Sequence, residues 1–320
     1  MPKFTFIINT YPFEERPKKL SNCLKSIFDQ TYQDFVVLII ENYKDASLVI
    51  PILKRSKDYK DRISVITDPK KKLSYLFNLG WKSADTEFLA YVADDVTLEK
   101  NWLENINKEF ENDENKRIGI VTGPIISAEH PAGEMHRLYL ASQKNFFYKA
   151  LTWPYLHFTM EDKVLMPGYL FESGAYSIGS SLEKSKDYPR QEIDLATTSS
   201  MGIRKEVIEK INGFDERFNF NHADGDLFIR IKKAKYKIIF NPKIVSHHHL
   251  QLGPSRNAYI IGKDTGTYYK KDVCPKSFKG FLGAFLNILV LNGYWFYNAF
   301  RTKDIRQLKG ISGFLEGFFG

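Results

Sequence analysis

Cysteine is almost missing from this chain of 320 residues: Cys23 and Cys274 stand alone in unrelated segments. Two such thiols build no disulfide framework and match no metal-ligand spacing, which excludes a stapled secreted scaffold and a zinc ribbon. No apolar leader precedes Met1-Pro2-Lys3-Phe4, which runs straight into a strand-like stretch, so the amino-terminal half is expected to stay in the cytosol. Internal repeats and low-complexity tracts are absent too. The opening FIINTYPFEERPKK contains no glycine, which counts against the Gly-rich phosphate loop of a nucleotidyltransferase, the rival enzyme reading of this sequence. There is also no nucleic-acid-binding motif, although the formal net charge is +8. Apart from Lys70-Lys71-Lys72 the lysines are scattered, and the basic balance points to anionic lipid or a phosphorylated ligand.

What the chain does have is apolar residues, 43% of the total, enough for one large core or two smaller ones. Its 25 Phe and 18 Tyr are read mainly as core, with a surface that meets sugar or lipid as the alternative. Apolar runs predict strands at Phe4–Asn9, Phe35–Ile40, Ile63–Thr67, Phe88–Ala93 and Ile118–Thr122. FVVLII lacks any polar alternation, as a parallel strand covered on both faces requires. Helical periodicity predicts helices at Pro17–Gln30, Leu73–Ser83, Glu99–Asn112, Met201–Asn212 and Asp226–Lys235. Short strands are expected at Lys237–Phe240 and Ile244–Ser246. The alternation of strands and helices implies an α/β fold with a mostly parallel sheet and helices on both faces. Such sheets bind ligands outside the carboxyl ends of their strands, which singles out Thr10, Glu41-Asn42, Asp68 and Asp94-Asp95.

Three clusters carry chemistry. Asp94-Asp95 closes an apolar strand, and two adjacent carboxylates there call for a cation or hydrogen bonds; magnesium or manganese, with diphosphate oxygens completing the shell, suits such ligands. The plain alternative is that one of them caps the following helix. In Asp224-Gly225-Asp226, one carboxylate is a candidate general base, and the alternative is again a helix cap. In His247-His248-His249, an extended chain points His247 and His249 one way and His248 the other, so all three cannot serve one ion.

In this order the pieces resemble family 2 inverting glycosyltransferases of the GT-A fold, a Rossmann-like architecture. The blocks that carry the resemblance are FIINTYPFEERPKKLSNCLKSIFDQTYQDFVVLIIEN, KKLSYLFNLGWKSADTEFLAYVADDVTLEKNWL and SSMGIRKEVIEKINGFDERFNFNHADGDLFIRIKKAKYKIIFNPKIVSHHH. They cover residues 3–125 and 195–250. The resemblance implies transfer of a hexosyl or deoxyhexosyl group from a nucleotide-diphospho-sugar donor to a glycan or lipid-linked acceptor, assisted by a divalent cation. It assigns Asp95 to the metal, with His247 or His248 completing that site, the spacing from Pro242 leaving the choice open. Asp94 would contact the donor ribose or share the ion. Thr10 and Glu41, with Asp68, would hold the nucleobase; Asn78 falls in the donor block. Asp224 takes the position of the catalytic base. Arg256 is assigned to the diphosphate on charge and location alone. Ala93, Glu41 and Ala223 depart from the common pattern, and Ala223 leaves Asp224 without its usual acidic neighbour. Loss of acidic residues at 93 and 223 motivates the rival reading of a catalytically silent binding protein.

The resulting plan is a nucleotide-sugar-binding half at 1–125, an acceptor-binding half at 126–260 with an aromatic-rich insertion at 126–195, and a helical tail at 261–320. Gly280 to Phe300 carries no charge and has basic flanks, Lys276 and Lys279 before it and Arg301, Lys303, Arg306 and Lys309 after it. That length approaches a bilayer span, but Asn287, Asn292 and Asn298 weaken it as one. An in-plane amphipathic helix, a span and a soluble packing helix are the three readings. Contact through 276–320 would place the protein peripherally on the cytoplasmic face of the cell membrane.

Overall fold

The computed structural model describes the whole chain except residues 12–15, 43–48, 50, 52–59, 70–71, 128–138, 140–141, 162, 164, 178–182 and 250–256. Its elements run β1 (Phe4–Thr10), α1 (Arg16–Phe28), β2 (Phe35–Glu41), β3 (Ile63–Thr67), α2 (Leu73–Lys82), β4 (Phe88–Val92), β5 (Val96–Leu98), α3 (Trp102–Glu111), β6 (Ile118–Thr122) and β7 (Ile125–Ile126). After them come α4 (Phe146–Met160), β8 (Gln191–Ile193), β9 (Ser200–Arg204), α5 (Lys205–Lys210), α6 (Ala223–Lys233), β10 (Lys237–Phe240) and β11 (Ser246–His248). The last three are α7 (Ala258–Lys271), α8 (Phe278–Thr302) and α9 (Lys309–Phe319). Two compact units result: one of residues 1–131, 180–214 and 227–251, the other of 132–179, 215–226 and 252–320.

The first unit is built on an eight-stranded sheet in the order β3-β2-β1-β4-β9-β6-β10-β8. The pairs β1–β2, β1–β4, β2–β3 and β6–β10 are parallel, and β4–β9, β6–β9 and β8–β10 antiparallel. The mostly parallel sheet expected from the sequence is therefore present. Phe4, Phe6, Phe35, Phe88, Trp102 and Phe110 fill one side of it, with α1 adding Leu20, Cys23, Leu24 and Ile27. Cys23 is buried and Cys274 exposed, both as free thiols. A smaller sheet, β5-β11-β7, lies beside this core and brings the histidine run back beside the acidic pair, with His248 opposite Val96.

One sequence expectation fails. Met201–Asn212 is not a single helix: Ser200–Arg204 forms β9, and only Lys205–Lys210 is helical. All five residues of β9 are buried between β4 and β6. Gly202 leaves room for Ile106, and pairing on both edges outweighs the local helical period. The strand expected at Ile244–Ser246 lies two residues later, at Ser246–His248.

The second unit holds α4, α7, α8 and α9. Helices α7 and α9 pack backbone to backbone: a methyl group on Gly262 would strike the Gly310 carbonyl, one on Gly266 the Phe314 carbonyl, and one on Gly313 the Tyr259 carbonyl. This close approach lets Tyr269 and Phe314 pack ring to ring and buries Phe314. Gly266→Val is therefore expected to lower unfolding stability by about 3 kcal/mol, because the obstructing atoms are backbone and cannot turn aside. Denaturant unfolding against wild type checks this, and an unchanged midpoint would refute the packing.

Candidate functional site

The strand order reverses between β1 and β4, because the chain goes outward from β1 through β2 to β3 and then returns to the other side of β1 as β4. A crevice opens outside the carboxyl ends at such a reversal. Here the two strand ends are joined by a side-chain bond: Thr10 Oγ1 donates to Asp94 Oδ2 at 2.7 Å. Asp94 and Asp95, 2% and 6% exposed, follow β4 after the single residue Ala93. Arg16, the first residue of α1, donates through Nη1 to Asp94 Oδ1 and stands 3.3 Å from Asp95 Oδ2. On the other flank His248 Nε2 lies 3.1 Å from Asp95 Oδ1, and His249 N donates to the Asp95 carbonyl at 2.9 Å.

The electrostatics follow from this crowding. Burial pushes the Asp94 carboxyl up to about 6 against the pull of Arg16, with the Asp95 charge adding to the rise and Thr10 resisting it. Burial opposes the charge of Asp95 as well, but the His248 hydrogen bond and charge, with Arg16, outweigh it and hold its pKa below the usual value. The Cys23 thiol behind them is pushed well up by burial and by both carboxylates, which makes it no nucleophile.

Strand alternation separates the histidines. His248 faces Asp95, whereas His247 Nε2 approaches Glu99 Oε1 at 3.4 Å and His249 Nε2 lies 2.9 Å from Thr97 Oγ1. Of the two histidines offered for the metal, the fold brings His248 and not His247 to the acidic pair. Among the described residues no three acidic, histidine or cysteine side chains form a ready-made cage for an ion. The set Asp94, Asp95 and His248 nevertheless has the carboxylate and imidazole chemistry that magnesium or manganese accepts, with the remaining oxygens left to a ligand.

The other expected residues are spread along the strand ends. Glu41 is fully buried at the end of β2, where Oε1 accepts from the Val49 amide at 2.8 Å. Asp68 follows β3 and accepts from the Tyr75 hydroxyl at 2.9 Å. Asn78, assigned to the donor block, is occupied within the protein: Oδ1 accepts from the Phe214 amide and the Trp81 indole, and Nδ2 donates to the Phe214 carbonyl. It ties α2 to the turn at Gly213, whose φ of +68° needs glycine and whose missing side chain makes room for Asn78 and Trp81. Arg256 lies outside the described residues. A residue the sequence did not single out is Asn9, buried at the end of β1 with neither end of its amide hydrogen-bonded to the described protein. The only available signal was its position, one residue before Thr10.

In the second unit, Asp224 sits half-buried in the first turn of α6, where Oδ1 accepts from the Gly225 amide at 2.9 Å. The segment leading to it is held by α7. Asp264, fully buried, accepts four hydrogen bonds of 2.8–3.0 Å, from the Asn219, Phe220 and Asn221 amides and the Asn219 side chain. Lys271 bridges Asp215, at 2.6 Å, and the buried Asp226. Burial works against the Asp215 charge, but Arg217 and Lys271 hold its carboxyl far below the usual range. Asp226 thus serves structure through its ion pair with Lys271, while Asp224 stands two residues before it in the first turn of α6. His222 stacks on Tyr268 with ring centroids 4.4 Å apart, and burial lowers its pKa to about 4.

Residues 6–181, more than half the chain, match Glycosyl transferase family 2, and the protein belongs to that family. It is 31% identical over 99 residues to the succinoglycan biosynthesis protein ExoW of Rhizobium meliloti (strain 1021), a match covering 30% of each chain. Among solved structures it resembles the mannosyltransferase PcManGT from Pyrobaculum calidifontis in complex with GDP-Man and Mn2+ (TM-score 0.56, 14% identity, 99% of this chain and 87% of that one). It also resembles GalNAc-T7 with UDP, GalNAc and Mn2+ (TM-score 0.58, 10% identity, 89% of this chain and 53% of that one). The fold is GT-A, as the sequence implied.

Two measurements test the geometry of the two units. Arg16→Ala leaves adjacent buried carboxylates without their guanidinium and is expected to cost about 3 kcal/mol of stability in denaturant unfolding; no loss would remove Arg16 from the site. His222 titrates near 6.5 in the unfolded chain and near 4 in the native one, so below about 6.5 only the unfolded state takes up its proton. Stability is present above that pH and is lost as the pH falls through about 4, by about 2 kcal/mol once the ring's partial exposure is discounted. His222→Asn, which suits the φ of 61° at this position, should flatten that decline. A variant as acid-sensitive as wild type would contradict it.

Proposed function

We propose that the protein is an inverting, metal-assisted glycosyltransferase that moves a hexosyl or deoxyhexosyl group from a nucleotide-diphosphate donor to a glycan or lipid-linked acceptor at the cytoplasmic face of a membrane. The observation that carries this reading is the buried Asp94–Asp95 pair at the reversal of strand order, flanked by Arg16 and His248. Buried carboxylates so placed repel a diphosphate unless positive charge stands between them.

Asp95 and His248 would hold magnesium or manganese, with Asp94 sharing the ion or contacting the donor ribose. When bound, the cation neutralises charge building on the departing diphosphate. Thr10, Glu41 and Asp68 line the ends of three neighbouring parallel strands and would hold the nucleoside, with Asn9 offering an amide beside Thr10. Among the described residues, Arg16 is a cation placed to meet the diphosphate once the carboxylates have another partner. Asp224 takes the proton from the acceptor hydroxyl. That oxygen then forms its bond to the anomeric carbon from the face opposite the leaving group. The carbon–oxygen bond to the diphosphate breaks, and the nucleoside diphosphate departs with the electron pair. The likeness to a succinoglycan biosynthesis protein, and to structures holding GDP-Man or UDP with Mn2+, supports a glycan acceptor and a nucleotide-sugar donor.

A panel of nucleotide sugars screened with manganese identifies the donor, and NMR of the early product then reads the anomeric configuration. Inversion is expected; retention would overturn the direct displacement. Asp224→Asn should lower turnover by at least about a hundred-fold with donor affinity nearly intact, the scale of a lost general base. Wild-type turnover in that variant would refute the assignment. No donor turnover with any sugar nucleotide would favour a silent binding protein.

A further inference from the structure

The second unit carries a helix whose sides are the reverse of those of an ordinary surface helix. On α8 the residues turned outward are Phe278, Phe281, Phe285, Leu289, Phe296 and Phe300, mostly three or four apart and so along one face. Phe278 is 84% exposed and Phe300 87%. The residues turned inward are small or polar: Gly280, Gly283, Ala284, Asn287 and Asn298. Water would favour the opposite arrangement. The same holds at the start of α4, where Phe146, Phe147, Tyr148, Leu151 and Trp153 are exposed, Phe147 at 80%. The two helices pack together: a methyl group on Gly283 would strike the Phe158 carbonyl, and the Tyr155 hydroxyl donates to Asn287 Oδ1 at 2.6 Å.

We infer that α4 and α8 together form one lipid-inserting surface, which lies in the plane of an anionic membrane and buries its aromatic side chains among the acyl chains. Charge identifies the occupant. Residues 276–309 contain six basic side chains and one acidic one, Asp304, with no charge from 280 to 300; residues 142–160 contain Lys144 and Lys149 and no acid. An apolar band with basic ends fits headgroups of opposite sign. A second copy of the chain laid on the same face would bring basic ends together.

In-plane insertion follows from the inner face of α8. Asn287 is bonded there both to Tyr155 and to the Tyr269 hydroxyl on α7, and Trp295 packs on Gly310 of α9. Helices α7 and α9 also carry the exposed ion pair Lys263–Glu316, which requires water. A spanning α8 would have to leave these partners and present its asparagines to hydrocarbon. The sequence alone suggested membrane contact through 276–320; the new element is α4 as a second anchor.

The surface is tested without donor or acceptor, so its failure is distinct from failure of the transferase reading. Full-length protein is sedimented with vesicles of phosphatidylcholine alone and of phosphatidylcholine with phosphatidylglycerol. Wild type is expected to pellet with the anionic vesicles and at least about ten-fold more weakly with the neutral ones. The double variants Phe147→Ser/Leu151→Ser on α4 and Phe281→Ser/Phe285→Ser on α8 should each lower affinity about ten-fold, with melting in buffer preserved because all four positions are exposed. Brominated acyl chains should quench the fluorescence of the wild type much more than that of Trp153→Phe. Undiminished binding by the α4 variant, or quenching that Trp153→Phe leaves intact, would overturn the role of α4. Absence of wild-type binding, or a dimer in lipid-free buffer that the α4 variant dissociates, would overturn the lipid assignment.

Discussion

Two carboxylates side by side, nearly out of water, are the constraint around which the first unit is organised. Leaving either Asp94 or Asp95 ionised and uncompensated would cost several kcal/mol. Each neighbouring element contributes something against that cost: β1 a hydroxyl from Thr10, α1 the guanidinium of Arg16, and β11 the imidazole of His248. The three contributors come from residues 10, 16 and 248, so the small sheet that returns β11 to β5 matters as much as the large one. Without that pairing His248 would have no fixed position relative to Asp95, and the site would keep its charge without its clamp.

The second unit solves a different problem. Its residues 215–226 carry four acidic side chains within one short segment, Asp215, Glu216, Asp224 and Asp226. Helix α7 neutralises two of them with one lysine, Lys271, and accepts the amides of 219–221 with one buried carboxylate, Asp264. The turn before Asp224 is thereby fixed from a single helix. The same helix supplies Tyr269 to the polar contacts beneath α8. Ordering of the candidate base and seating of the apolar surface thus share one scaffold.

Much of the first unit could be read from the chain because parallel strands covered on both faces need unbroken apolar runs, and FVVLII and FLAYV are such runs. The separation of His248 from its neighbours was likewise legible, since a two-residue period on an extended strand requires it. Strand β9 was not: MGIR has no strand signal strong enough to oppose the helical period after it, and only pairing with β4 and β6 decides it. Asn78 was placed in the donor block by resemblance alone; its hydrogen bonds to Phe214 depend on a partner 136 residues away. Arg16 and Asp264 were illegible for the same reason. A single charge in a helix has no meaning until the fold shows which buried group it faces.

The central claim, that the acidic pair is built to take a divalent cation in place of its internal counter-charges, is tested most directly by electron paramagnetic resonance of manganese titrated into the protein with a nucleoside diphosphate present. Wild-type protein should bind one manganese ion, and the double variant Asp94→Asn/Asp95→Asn, which keeps the shape but removes the charge, should bind none. Equal manganese binding by the two proteins would contradict the account.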